Sequence, residues 1–182
     1  MNRRIDESLN CKQTIKRFND LTNKQLNKKN MTRQETIDLA VKYFTEGHAC
    51  SQSVLLAFAD RIGLDKTIAK RISGTFGGGM GRLRSKCGAL TGGFMVLGMV
   101  EGYEGPEQME QKMAVYKRVR ELNKKVEDQY GETNCNELLI KYSNPTNVTE
   151  RKHHQDICVK LVADTTGYLY DMLEEYANKK GV

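Results

Sequence analysis

Five cysteines are the residues of this chain with the most distinctive chemistry: Cys11, Cys50, Cys87, Cys135 and Cys158. A cysteine thiolate serves both as a soft metal ligand and as a redox nucleophile. The last four are separated by 36, 47 and 22 residues, so no two of them form a CxxC pair. A site that uses these four thiols must therefore be assembled by the fold from distant segments.

The spacing of the cysteines leaves several kinds of site open. Structural zinc usually takes its ligands in close pairs, which disfavours zinc, and the chain has no CxxCH motif for haem attachment. Four single thiolates that converge could hold an iron–sulfur cluster, which is usually bound by four cysteines. They could equally form two dithiol pairs, or lie separately in the core, because free cysteine is often buried.

Three histidines are the other candidate soft ligands. His48 precedes Cys50 by two residues and could tune that thiol or replace it as a ligand, although a loop position near a helix start is the simpler interpretation. His153 and His154 lie in a polar stretch and are predicted to face solvent. No arrangement of serine, histidine and carboxylates indicates a hydrolytic enzyme.

A glycine-rich loop precedes Cys87, with five glycines from Gly74 to Gly81. Three basic residues follow it: Arg82, Arg84 and Lys86. A nucleotide-binding loop is disfavoured, because no strand is predicted before it and neither phosphate-binding glycine pattern is present. Glycine instead permits unusual backbone dihedral angles, so we expect Gly78 and Gly79 to line the cofactor site and pass close to whatever Cys87 binds.

The apolar stretch of residues 86–102 predicts a buried central helix. From Cys87 to Val100 only Thr91 is polar, and these 14 residues fall short of the roughly 20 that cross a bilayer. A strand is the competing prediction, because glycine weakens helices. The glycines of this stretch should let another helix pack closely; they are Gly88, Gly92, Gly93 and Gly98.

Capping and periodicity patterns predict the helices before this one. Thr32 and Glu35 form a capping-box pattern at the start of a helix that ends near Gly47. A second apolar stripe runs from Cys50 to Gly63, and Asp65 can cap a short third helix.

A long charged helix is predicted after the central one, with Pro106 in its first turn and Gly131 at its end. Its apolar stripe could pack on the core or pair with a second subunit; the stripe comprises Met109, Met113, Tyr116, Val119, Leu122 and Val126. Cys135 begins another helix, residues 143–149 form a loop, and the last helix carries an apolar stripe from Ile157 to Tyr176. The chain therefore predicts an all-α fold, a compact bundle of about five to seven helices.

The predicted helices place three cysteines at or just before a helix start, and the fourth in an early turn; in order they are Cys50, Cys87, Cys135 and Cys158. Unpaired N–H groups and the helix dipole favour negative charge at such positions. A helix N-terminus therefore lowers the pKa of a thiol, and we expect these four cysteines to be available as thiolates.

Charge is concentrated at the start of the chain. Residues 1–30 carry eight Lys and Arg against three Asp and Glu, which accounts for most of the net charge of +6. We interpret them as a basic polar extension before a single helical domain, residues 31–182, for which no nucleic-acid partner is expected. The first residues contain no apolar run of the secretory kind, so a cytoplasmic location without a membrane span is expected. In that reducing compartment, cysteines indicate metal binding or redox chemistry more than structural disulfide bonds.

The stretch CGALTG at residues 87–92, behind a GGGMGR loop, resembles the signature of a redox-active family with four cysteines, labelled C_GCAxxG_C_C. The resemblance covers about residues 33–176 and matches Cys50, Cys135 and Cys158 to the other three family cysteines. It implies that all four thiols act together. A related domain accompanies an iron–sulfur site in split-Soret-type cytochromes, whose haem-attachment motifs are absent here, so the resemblance does not imply haem.

The sequence thus predicts electron transfer through an iron–sulfur cluster, [2Fe–2S], whose ligands are Cys50, Cys87, Cys135 and Cys158. A thiol–disulfide oxidoreductase that uses cysteine pairs is the first alternative, and a structural zinc or partner-binding module is the second. The redox partner is not identified, the presence of enzyme activity is undecided, and a homodimer through the long helix is an open alternative.

Overall fold

The computed structural model describes residues 31–142 and 150–181, with side chains from residue 156 onward in the second range. These residues form seven helices, one four-residue helical turn and no strand, so the all-α prediction is confirmed. The helices are α1 (Arg33–Thr45), α2 (Cys50–Ala59), α3 (Lys66–Gly74), α4 (Gly88–Glu101), α5 (Met109–Tyr130), α6 (Cys135–Tyr142) and α7 (Glu150–Lys180). The helical turn, Gly77–Met80, lies between α3 and α4. The predicted extension with Cys11, and the predicted loop 143–149, lie outside the described residues.

The predicted helix caps are present. The Thr32 side chain accepts a hydrogen bond from the Glu35 N–H at 3.3 Å, and the Glu35 carboxylate accepts one from the Thr32 N–H at 2.7 Å. Asp65 accepts from the Ile68 N–H at 2.9 Å at the start of α3. These reciprocal bonds satisfy N–H groups that a helix start leaves unpaired.

Helix α2 forms the centre of the bundle, with α1, α3, α4 and α7 packed around it. Helix α4 approaches closely because it presents glycine: a Cβ atom at Gly92 would lie 2.6 Å from the Ser51 carbonyl oxygen of α2. A Cβ atom at Gly93 would lie 2.8 Å from Leu122 of α5. The predicted close packing is therefore confirmed at these two glycines. It is wrong at Gly98, where such an atom would meet nothing within 4 Å.

The predicted start of α5 is wrong. Pro106 lies before the helix, which begins at Met109. The side chain of Gln108 accepts hydrogen bonds from the N–H groups of Glu104, at 2.6 Å, and Gly105, at 3.4 Å. These hydrogen bonds form a local turn that contains Pro106, so the proline is not in the first turn of the helix. The predicted end is confirmed, because Gly131 adopts φ 72° and donates its N–H to the Glu127 carbonyl.

The apolar stripe of α5 divides between two surroundings. In the C-terminal half, Leu122 and Val126 are fully buried. In the N-terminal half, the stripe residues Met109, Met113 and Tyr116 are exposed, and Val115 is buried instead. Of the two alternatives for this stripe, packing on the core is therefore wrong for the first half of the helix.

One buried ion pair joins three helices. Arg118 of α5 donates through Nε to both oxygens of Glu101, at 3.1 and 3.2 Å, and through Nη2 to the Met172 carbonyl of α7. Glu101 lies at the end of α4. None of the helices within 31–142 and 150–181 is long and apolar enough to cross a membrane.

Candidate functional site

Three cysteines lie where helices begin. Cys50 is the first residue of α2, Cys87 is the N-cap of α4 and Cys135 is the first residue of α6. The prediction is wrong for Cys158, because α7 begins at Glu150 and places this thiol beyond its second turn. The residues between Glu150 and Ile157 are polar, so no apolar periodicity revealed the earlier helix start.

The fold brings these four cysteines, here called the thiol site, to one region of the bundle. The Cys158 thiol interacts electrostatically with each of the other three. Cys50 interacts with both Cys87 and Cys135, and Cys87 interacts with Cys135. Every pair in the thiol site is thus close enough for charge on one sulfur to affect the other. All four are free thiols.

A short antiparallel pairing positions two of the thiols. The Cys87 N–H donates to the Thr133 carbonyl at 2.9 Å, and the Cys135 N–H donates to the Ser85 carbonyl at 2.5 Å. Lys86 and Asn134 form an isolated β-bridge between these bonds. The pairing holds the starts of α4 and α6 side by side, and it is too short for a strand pattern to have predicted it.

The glycine-rich turn lies against the thiol site. The Gly78 N–H donates a hydrogen bond to Cys50. A Cβ atom at Gly79 would lie 2.5 Å from Cys135 Cβ and 3.1 Å from its Sγ, and a Cβ atom at Gly88 would lie 3.2 Å from Cys50 Sγ. Gly78 and Gly79 also adopt φ values of 62° and 72°, which favour glycine. Gly78 and Gly79 therefore lie beside Cys50 and Cys135, whereas the sequence had directed attention to Cys87.

Arg84 is a residue of the site that sequence reasoning missed. Its Nη1 lies 4.0 Å from Cys135 Sγ. Its carbonyl accepts the Asn136 N–H at 3.1 Å, and its backbone adopts φ 59°. In the sequence Arg84 was only one of three basic residues after the glycines. Its position shortly before Cys87 was the available signal. Arg82 lies only two residues earlier, however, and the sequence did not indicate which of the two arginines faces the thiols.

Cys50 and Cys158 form a hydrogen-bonded pair with opposite acid–base behaviour. The hydrogen bond from Cys158, helped by the Gly78 N–H and opposed by burial, lowers the pKa of Cys50 to about 6. The same hydrogen bond to Cys50, together with burial, raises the pKa of Cys158. Cys50 is therefore the thiolate of the pair and Cys158 keeps its proton.

For Cys87 and Cys135 the prediction that a helix start lowers the pKa of the thiol is wrong. Burial raises the pKa of Cys87 to about 12, and burial also raises the pKa of Cys135 against the opposing effect of Arg84. Their exposed fractions are only 5% and 8%. At these two positions the cost of burying a charge outweighs the stabilisation by the helix N-terminus.

The histidines add little to this geometry. His48 packs its ring edge-on against Tyr43, with 5.6 Å between ring centroids, and its N–H donates to the Tyr43 carbonyl. The side chains of His153 and His154 lie outside the described part of the chain.

The donor atoms of the thiol site are suited to a metal or cluster that is bound through cysteine sulfur. Its four side chains are all soft donors, and glycine leaves space beside two of the sulfurs. Within the described ranges, no group of three or more His, Cys, Asp or Glu side chains already has the arrangement of a metal site. The four thiols can therefore support either a bound group that draws them together or dithiol chemistry at the hydrogen-bonded pair of Cys50 and Cys158.

Comparison with protein families finds one model, described as "Putative redox-active protein (C_GCAxxG_C_C)", that matches residues 48–172. The matched segment contains the whole thiol site and the glycine-rich turn. The label orders its central motif Gly-Cys-Ala, whereas this chain has Cys87-Gly88-Ala89. No curated protein and no solved structure matches the chain.

Proposed function

This chain belongs to the C_GCAxxG_C_C family of redox-active proteins, and we propose that it transfers electrons through an iron–sulfur cluster. The proposed ligands are the four cysteines of the thiol site, and [2Fe–2S] is the cluster type expected. One observation carries the proposal: the fold gathers four cysteines from distant helices into one region, where charge on each sulfur affects the others. Four cysteines are the usual complement for such a cluster, which supplies one-electron chemistry when bound.

The surrounding residues have the chemistry to stabilise a thiolate-rich centre. The Gly78 N–H already donates to Cys50, and the Arg84 guanidinium lies beside Cys135. Hydrogen bonds to cluster sulfurs and nearby positive charge raise reduction potentials. Because Cys87 and Cys135 hold their protons in the free protein, loading the site should release protons to solvent.

Anaerobic reconstitution with iron and sulfide tests this proposal. We expect iron and acid-labile sulfide in about equal amounts, with visible absorbance that dithionite bleaches. Cys87→Ser and Cys135→Ser should each lose most of the bound iron, whereas Cys11→Ser should keep it. A colourless, iron-free protein after reconstitution would contradict the cluster, and stoichiometric zinc with no retained sulfide would favour the structural alternative.

A second candidate, thiol–disulfide exchange, is favoured by the hydrogen-bonded pair of Cys50 and Cys158. The Cys50 thiolate would attack a substrate disulfide, form a mixed disulfide and expel one substrate thiolate, which takes a proton from solvent. Cys158, after losing its proton, would attack Cys50 Sγ, form the Cys50–Cys158 disulfide and release the second substrate thiol. The substrate disulfide gains the two electrons that the protein dithiol loses.

Reaction of the iron-free protein with oxidised glutathione separates the candidates. Exchange chemistry predicts two glutathione thiols released per chain and an intramolecular Cys50–Cys158 disulfide by peptide mapping, because each turnover transfers two electrons. Cys158→Ala should stop at the mixed disulfide on Cys50. Oxidation spread equally over all four thiols, with no defined disulfide, would count against the exchange mechanism.

A further inference from the structure

The N-terminal half of α5 has an exposed stripe that the thiol site does not use. It consists of Glu110, Met113, Ala114 and Lys117, here called the α5 stripe, and each of these residues is exposed. Their spacing of three, four and seven residues places them on one helix face. The buried residue of this segment, Val115, anchors the opposite side of the helix to the core.

Large apolar side chains lie in and beside the α5 stripe. Met109 is 56% exposed, Met113 51% and Tyr116 41%. Tyr116 packs edge-on against Tyr103, with a hydroxyl-to-hydroxyl distance of 3.3 Å, and the Lys112 ammonium lies 5.7 and 5.8 Å from the two ring centroids. These contacts hold the aromatic side chains in place, so a binding partner would not have to order them.

The charges of the α5 stripe have a two-fold pattern. Glu110 lies three residues before Met113, and Lys117 lies three residues after Ala114. A two-fold axis between Met113 and Ala114 therefore places Glu110 of one copy opposite Lys117 of the other.

We propose that the α5 stripe binds the α5 stripe of a second copy of this chain, with the two helices antiparallel. In that arrangement Glu110 of each copy faces Lys117 of the other, and the exposed methionines and alanines meet at the axis. A parallel arrangement would instead place like charges opposite each other. Isologous two-fold contact of this kind is the commonest form of homodimer. The proposal rests on the surface of α5 alone and is independent of the cofactor.

Sedimentation of the full chain, kept reduced to prevent intermolecular disulfides, tests the dimer. We expect reversible dimerisation with a dissociation constant of roughly 10 μM, because the contact is small. Glu110→Lys and Lys117→Glu should each weaken association at least about tenfold, since each turns two attractive pairs into repulsive ones. The double variant, Glu110→Lys with Lys117→Glu, restores opposite charges and should recover dimerisation.

Two controls make the result specific. Lys70→Glu on α3 is an exposed charge reversal away from the stripe, and it should leave association unchanged. Met113→Asp should abolish association without lowering the thermal midpoint of unfolding, because its side chain is exposed in the single chain. A monomer at roughly 100 μM chain would overturn the proposal. So would a dimer that tolerates both single charge reversals, because parallel pairing keeps like charges opposite each other before and after either reversal.

Discussion

Cys50 is the one thiol of the site whose pKa lies below the ordinary value for cysteine, because the Cys158 thiol donates to it and the Gly78 N–H assists. At the scale of single residues, the thiol site is therefore asymmetric: one thiolate lies among three protonated thiols. Such asymmetry could not be predicted from the sequence, in which the environments of the four cysteines look alike.

Alkylation of Cys50 in the iron-free protein should depend on pH in a way that reports this hydrogen bond. The rate should level off above pH of about 6 and fall as pH decreases below it, because the thiolate reacts and the thiol does not. Cys158→Ala removes the main cause of the lowered pKa while burial continues to raise it, so alkylation at pH 6 should slow about tenfold or more. Peptide mass spectrometry with iodoacetamide measures the rate.

Cys135→Ala is the matched control for that experiment, because it leaves the Cys50–Cys158 hydrogen bond in place. Cys50 in this variant should keep its reactivity at low pH. Equal slowing in both variants would show that general loosening of the site, and not the hydrogen bond, sets the behaviour of Cys50.

Arg84 should control the reactivity of Cys135. Its guanidinium is the neighbouring charge that lowers the pKa of Cys135 against burial. At a fixed pH below the pKa of Cys135, Arg84→Gln should slow alkylation of Cys135 about tenfold. Arg84→Lys keeps a positive charge and should restore part of the rate. In reconstituted protein the same change to glutamine should lower the reduction potential, which redox titration measures.

Arg82 offers a closely matched control for Arg84. Both arginines adopt a left-handed backbone, with φ 66° for Arg82 and 59° for Arg84, so substitution costs similar backbone strain. Arg82 is exposed. Arg82→Gln should leave alkylation of Cys135 unchanged, and equal effects at both positions would indicate a long-range charge effect without a specific contact.

Close contact between α2 and α4 is the packing feature on which the site depends at the scale of helices. The start of α4 carries Cys87, the start of α2 carries Cys50, and Gly88 and Gly92 lie against α2. The sequence predicted this approach because small residues recur on successive turns. It could not specify which glycines take part, because that depends on which face of α4 meets a neighbour.

Gly92→Ala should therefore destabilise the fold, because its Cβ atom would lie 2.6 Å from the Ser51 carbonyl oxygen of the central helix. We expect a loss of about 1–3 kcal/mol in the free energy of unfolding, measured by urea titration. Gly98→Ala on the same helix has open space, so it should be neutral or stabilise by up to about 1 kcal/mol. Equal effects of the two substitutions would contradict close packing at Gly92.

The buried pair of Arg118 and Glu101 acts at the scale of the whole molecule, because it connects α4, α5 and α7. The side chain of Glu101 is 4% exposed and that of Arg118 is 15% exposed. Arg118→Met leaves a buried carboxylate without its cation, which should cost about 3–5 kcal/mol in the free energy of unfolding at neutral pH. Urea titration of this variant beside the parent measures the loss.

Lowering the pH should reduce the loss in the free energy of unfolding that Arg118→Met causes. Burial already raises the pKa of Glu101, and removal of Arg118 withdraws the charge that opposes it, so the carboxyl group of the variant takes up a proton more readily as pH falls. The double variant Arg118→Met with Glu101→Leu should recover most of the stability at neutral pH. A loss that does not change with pH would contradict an electrostatic cause.

The sequence by itself determined what depends on neighbours along the chain: the caps at Thr32 and Asp65, the end of α5 at Gly131, the all-α class and the cysteines that begin helices. Local hydrogen bonds and apolar periodicity follow from residue type and spacing. Only the tertiary structure decided which thiols meet and which one ionises. It placed Arg84 beside Cys135, paired Cys158 with Cys50 and exposed the first half of the apolar stripe of α5, because burial and charge at these positions depend on segments far away in the chain.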